Sequence, residues 1–262
     1  WSTLWLQLTY PDVFGATWST SPDPIDFRAF QRVNIYEPGN FYTVGPEFKP
    51  LNELEAQFVK DRGYPSFRRG ADPVTVKPIM SVRQEVSGED IFGPRFTSGK
   101  QWASWLAVWG PRDAADASRP APLFDPGTGV IDLAIAEKYK AYDIGYLTRM
   151  APARYLPIWQ QRIRLACGGL DNFYLNQAVE LVKADIDGLT AAAGKPPLGV
   201  VSPGYIKIVA NLDHGSIFGS LEVRHFPQEM VDYLVGAGWL PPPAPAAEVP
   251  APAQPSSPES PK

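Results

Sequence analysis

The sequence predicts an α/β fold: a mostly parallel sheet with helices on both faces and an aromatic-rich insertion over it. Three observations carry that expectation. Short apolar, β-branched runs alternate with amphipathic stretches of helical length. The alternation lapses over residues 34–130, where Pro, Gly and aromatic residues concentrate. The 262 residues, 20% of them charged, suffice for one large globular core or two small ones.

The elements follow in order. Residues 1–10, WSTLWLQLTY, place Trp1, Leu4, Trp5 and Leu8 at three- to four-residue spacing, and Pro11-Asp12 closes the run, which predicts a helix. VFGATWST, leading into SPDPIDF, reads as a buried strand running into a loop. Within 34–130, helical patches fall near 50–61, 74–86 and 100–109, with few strand signals. Trp102, Trp105 and Trp109 share a helical face there, either packing the insertion onto the main core or presenting a wall to a substrate.

IDLAIAEKYKAYDIGYLTRM over 131–150 reads as one helix, with Asp132 at its electrostatically favourable start. Next, Ile163, Leu165 and Cys167 alternate with Arg162, Arg164 and Ala166 in a strand over 162–167 that Gly168-Gly169 ends. An amphipathic helix from Phe173 to about residue 193 stops before Gly194 and Pro196. YIKIV at 205–209 is a second buried strand, and a last helix is expected near 225–237. The folded domain is thus expected over 1–240. The Pro/Ala/Ser-rich tail over 241–262 has nothing to bury and is expected to be disordered or extended, as a linker, a solubilising end or a docking segment.

Composition excludes several function classes. With 24 Lys+Arg against 28 Asp+Glu, the net charge of -4 offers no field for a nucleic-acid backbone. Apolar runs fall far short of the roughly 20 residues that span a bilayer. Cys167 is the only cysteine and His214 and His225 the only histidines, which argues against an intrachain disulfide, a Cys-based metal cluster, a His-rich zinc site and metal catalysis. Cys167 reads as a small buried hydrophobe. Trp1 is not an initiating Met, so sequence upstream of it is expected.

Ligands of parallel α/β sheets sit at the carboxyl ends of the strands. Asp171 follows the strand 162–167 by four residues, and His214 follows the strand 205–209 by five. A serine hydroxyl becomes nucleophilic when an imidazole takes its proton, and a carboxylate must fix the tautomer of that imidazole and stabilise its charged form. Asp171 and His214 are therefore candidate acid and base. Each has a plainer reading: His214 as a helix cap or a partner of a backbone carbonyl, Asp171 as the N-cap of the following helix. Asp213 competes as the acid, but its adjacency to His214 suits a turn-capping role better.

Four stretches carry a family resemblance: WSTLWLQLTYPDVFGATWSTSPDPIDFRAFQRVNIY, GTGVIDLAIAEKYKAYDI, LDNFYLNQAVELVK and IVANLDHGSIF. Together, over about residues 1–220, they resemble bacterial esterases of the esterase D and polyhydroxybutyrate-depolymerase-like kind within the α/β-hydrolases. The resemblance implies an incomplete α/β-hydrolase fold, with Asp171 in LDNFYL as the triad acid and His214 in LDHGS as the base. It also implies that the nucleophilic serine, in a G-H-S-x-G-G elbow, lies just upstream of Trp1, beyond residues 1–262, as does the oxyanion-hole loop. Ser2 stands on the helix after such an elbow and lacks its setting. Trp1, Ser19 and Ser21 are candidate pocket residues; the two serines also suit a turn before Pro22.

These implications define the expected function. The complete protein would hydrolyse a small-molecule carboxylic ester without a cofactor, while this chain alone would be inactive. Without its first strands the sheet would expose edges and be sticky, so the N-terminal part of the same protein is the expected partner. Relatives with secretion signals favour an extracytoplasmic location. The alternative is a hydrolase-like binding or scaffold protein that keeps the fold without activity.

Overall fold

A computed structural model of the chain describes residues 1–242, so the expected tail lies outside the described residues from 243 onward. It forms two units, Trp1–Arg224 and a small one from His225.

The larger unit is mixed α/β. Helix α1 (Ser2–Thr9) turns into strand β1 (Thr17–Thr20), the expected α-to-β step. Across the insertion come α2 (Glu53–Arg62), β2 (Pro65–Arg69), β3 (Lys77–Ser81), α3 (Val82–Asp90) and α4 (Gln101–Trp109). Local chemistry sets these boundaries. The Asn52 carboxamide caps α2 by accepting from Glu55 N–H at 2.9 Å, and Gly63, at φ 74°, ends it in a conformation that favours glycine. Ser81 and Gln84 form a capping box that starts α3.

The patch at 74–86 is therefore not one helix. Its first half is β3, paired antiparallel with β2 in a hairpin that the sequence does not announce. The capping box places the start of the helix at Val82, and five residues of KPIMS are too few for a helical period to be told from an extended run.

After the insertion, 131–150 is likewise two helices, α5 (Leu133–Tyr139) and α6 (Ile144–Met150). Asp143 makes the break. One carboxylate oxygen caps Tyr146 N–H at 2.8 Å; the other accepts from Phe27 N–H at 3.0 Å and from the Tyr36 hydroxyl at 2.8 Å. A tertiary contact thus overrides helical propensity. Helix α7 (Pro152–Arg162) is an element the sequence reading missed, because Pro152 and Pro157 speak against it. Pro152 sits in the first turn, where a missing N–H costs nothing, and burial of Tyr155, Leu156, Ile158 and Trp159 offsets the break at Pro157.

Strand β4 (Ile163–Gly168), helix α8 (Asn176–Ala192), strand β5 (Tyr205–Val209) and the short α9 (Leu221–Arg224) complete the unit. The sheet order is β1-β4-β5, all parallel, with Thr17 opposite Ile163 and Arg164 opposite Tyr205. All six β4 residues are buried, so alternation with Arg162 and Arg164 does not mark a solvent face; both faces of β4 are covered. The Arg164 guanidinium stacks 4.9 Å from the Trp18 ring. β5, read as a buried strand, is an edge strand in which Ile206 alone is buried.

Two apolar clusters hold the unit. Leu4, Leu8, Leu165, Cys167, Val179, Val182 and Ile186 join α1 and α8 to the sheet. Trp102, Trp105 and Trp109 join Phe27, Phe30, Phe41, Phe124 and Tyr139 in an aromatic cluster, and Trp1 packs against both. The three tryptophans are at most 4% exposed, so the stripe packs a core. In the second unit, α10 (Phe226–Gly236) matches the last expected helix. Among the described residues no helix is long and apolar enough to cross a membrane.

Candidate active site

The loops after β4 and β5 lie side by side because the strands before them pair. Backbone bonds continue that pairing beyond the strands, with Gly169 N–H donating to the Val209 carbonyl at 2.8 Å and Leu170 N–H to the Leu212 carbonyl at 2.9 Å. Gly168 allows the approach: a Cβ at that position would run into the Leu212 carbonyl.

The two sequence-predicted residues meet at this seam. His214 Nδ1 lies 2.8 Å from Asp171 Oδ2, a contact between residues 43 apart in the chain. The Asp171 side chain is fully buried, and its other oxygen accepts from Phe173 N–H at 2.9 Å and Leu175 N–H at 3.3 Å. Asp171 therefore holds both its own turn and the imidazole, but it is not the N-cap of the following helix, a position that Leu175 takes. Against a carboxylate, Nδ1 carries the proton, which leaves Nε2 as the basic nitrogen.

The imidazole is partly exposed, with the edge of the Phe173 ring 5.1 Å away and nearly perpendicular. Its backbone N–H donates to Asn172 Oδ1 at 3.2 Å. The hydrogen bond from His214 to Asp171 raises the His214 pKa above its ordinary value, against the opposing effect of burial; the charges of Asp171, Asp23 and Asp213 add to the rise. Asp213 caps the turn: its carboxylate accepts from Gly215 N–H at 3.1 Å and Ser216 N–H at 2.7 Å, which holds its pKa down.

The remaining candidates stand on α1 and β1 and the residues beside them. Ser19 and Ser21 are buried in and after β1; Ser21 has φ 40°, and its hydroxyl is 4.0 Å from Cys167 Sγ. The Trp1 ring stacks on Trp5 at 5.2 Å and donates its Nε1–H to the Tyr142 carbonyl at 3.1 Å. Ser2 is exposed on α1.

Sequence reasoning missed three participants. Asp23 accepts from Trp105 Nε1–H at 3.1 Å and acts electrostatically on His214. Arg68, 103 residues before Asp171, donates from Nε to the Asp171 carbonyl at 2.9 Å, and nothing in the sequence signals it. Asn172 was visible only as a neighbour of Asp171. A cavity of about 590 Å³ adjoins these loops, lined in part by Phe67, Arg69, Asn172, Leu212 and Asp213. Among the described residues no cluster of three or more His, Cys, Asp or Glu side chains is arranged to hold a metal ion.

Fold and site define a class: a mixed α/β protein with a carboxylate-histidine pair at the carboxyl edge of a parallel sheet. No family model, curated protein or solved structure matches the chain.

Proposed function

We propose that the chain supplies the acid and base of a serine carboxylic-ester hydrolase with an α/β-hydrolase fold. The observation that carries this reading is the 2.8 Å contact between buried Asp171 and partly exposed His214, at adjacent carboxyl ends of parallel strands and in the order acid then histidine. In the proposed reaction a serine hydroxyl attacks the ester carbonyl while His214 Nε2 takes its proton. Asp171 stabilises the imidazolium, which then protonates the leaving alkoxide. Water, deprotonated by His214, releases the acid from the acyl-enzyme. No cofactor enters.

The nucleophile belongs, in this reading, to a segment preceding Trp1 in the complete protein. That placement rests on the resemblance of residues 1–36 to the segment that follows a nucleophile elbow. The cavity of about 590 Å³, lined by Asn172 and Asp213, the chain neighbours of the pair, offers room for part of a small ester. Residues 1–262 alone are then inactive toward p-nitrophenyl esters, while the complete protein hydrolyses them and labels with a fluorophosphonate at a serine upstream of Trp1. A complete protein that neither labels nor turns over esters would leave the scaffold reading.

A further inference from the structure

Arg68, in the β2 strand of the insertion, grips the acid's loop with both main chain and side chain. Its N–H donates to the Asn172 carbonyl and its own carbonyl accepts from Asn172 Nδ2, each at 2.9 Å. Its Nε donates to the Asp171 carbonyl at 2.9 Å, and its Nη2 to Asn176 Oδ1 at 3.2 Å and the Gly169 carbonyl at 3.4 Å. Asn172 extends the connection by accepting the His214 N–H. Two short routes thus lead from Arg68, one to the acid and one to the backbone of the base.

The guanidinium is an expensive way to fill this space. Arg68 is 4% exposed, and its hydrogen bonds go to neutral oxygens. Burial lowers its pKa against the opposing charges of Glu55 and Asp171, and the guanidinium stacks 4.5 Å above the Tyr174 ring. What the planar fork supplies, and an apolar side chain does not, is several donors in fixed directions toward one loop. We propose that Arg68 is a positioning residue that acts through Asp171 and Asn172 to hold carboxylate and imidazole in register. Its catalytic meaning rests on the esterase reading; its geometric role does not.

The direction of the His214 titration tests this. By Coulomb's law alone, deleting a cation near the pair makes His214 easier to protonate and raises its pKa. Losing the alignment breaks the hydrogen bond to Asp171 and lets the pKa fall toward the ordinary 6.5. The two effects have opposite signs. In the isotope-labelled complete protein, Arg68→Met and Arg68→Lys, each checked for a native near-ultraviolet circular dichroism spectrum, are expected to lower the His214 pKa measured by NMR. An unchanged or raised value in a folded variant overturns the proposal. If Arg68→Met loses the native spectrum, Asn172→Ala carries the same test with the same two outcomes.

In the complete protein, Arg68→Lys is expected to lower kcat about 100-fold with little change in KM. If the parent shows no His214-dependent ester turnover but the titration shifts downward, the esterase reading fails and the positioning role stands. If the parent hydrolyses esters through His214 and Arg68→Lys changes neither its pKa nor kcat, the positioning role fails and the esterase reading stands.

Discussion

Asp171 and His214 meet at 2.8 Å because the β4-β5 backbone pairing continues past the strand ends, through Gly169 and Leu170. The contact makes His214 a stronger base than a free imidazole. Replacing Asp171→Asn is expected to return the His214 pKa toward 6.5, read from the NMR titration of its ring protons. The sign for stability follows. The folded-state pKa is raised, so the contribution of this group is fully present below pH 6.5 and is lost as pH climbs through the raised value. Urea unfolding above neutrality should lose that slope in the Asn variant.

Asp143 titrates in a different window. Burial and the neighbouring Asp26 carboxylate push its pKa up to about 6, against the hydrogen bonds from Tyr146, Phe27 and Tyr36. Asp26 is itself paired with Arg28 and Arg149, which also reach Asp185, whereas Asp143 receives only neutral donors. A raised carboxylate pKa means that the folded state holds the proton more tightly. Its contribution is greatest below pH 3.8, declines up to about pH 6 and is flat above. The difference in unfolding free energy between the parent and Asp143→Asn should change across that window; equal pH profiles would contradict the assignment.

The tryptophan stripe predicts a stability effect. Trp102 is fully buried against Phe30, Phe41 and Phe124, and its Nε1–H donates to Glu85 at 3.0 Å. Trp102→Ala is expected to cost about 3–5 kcal/mol in chemical denaturation. A loss near zero would restore the substrate-wall interpretation.

Gly168→Ala probes the seam itself. The added methyl meets the Leu212 carbonyl, two residues before His214, and backbone gives way less easily than a side-chain tip. The variant is expected to lose about 1–3 kcal/mol of stability and to lower the His214 pKa as the two loops separate. Both changes are measurable on the same labelled sample.

Patterns that depend on chain-local chemistry were legible in the sequence: the β4 and β5 strands, the α8 helix, and the polar residues at the strand ends. What was not legible depends on distant partners. Asp143 breaks a helix because Phe27 and Tyr36 reach its carboxylate from over a hundred residues away. The β2-β3 hairpin is short, and α7 forms despite two prolines because its apolar face is buried. Arg68 resembles any strand arginine until the fold brings it to Asp171.

The central claim is that Asp171 and His214 are the acid and base of an ester hydrolase. The most direct test is the hydrolysis rate of p-nitrophenyl butyrate by the complete protein, with and without His214→Ala. The account predicts turnover in the parent and a loss of about 10⁴-fold or more in the variant. Equal rates in the two would contradict it.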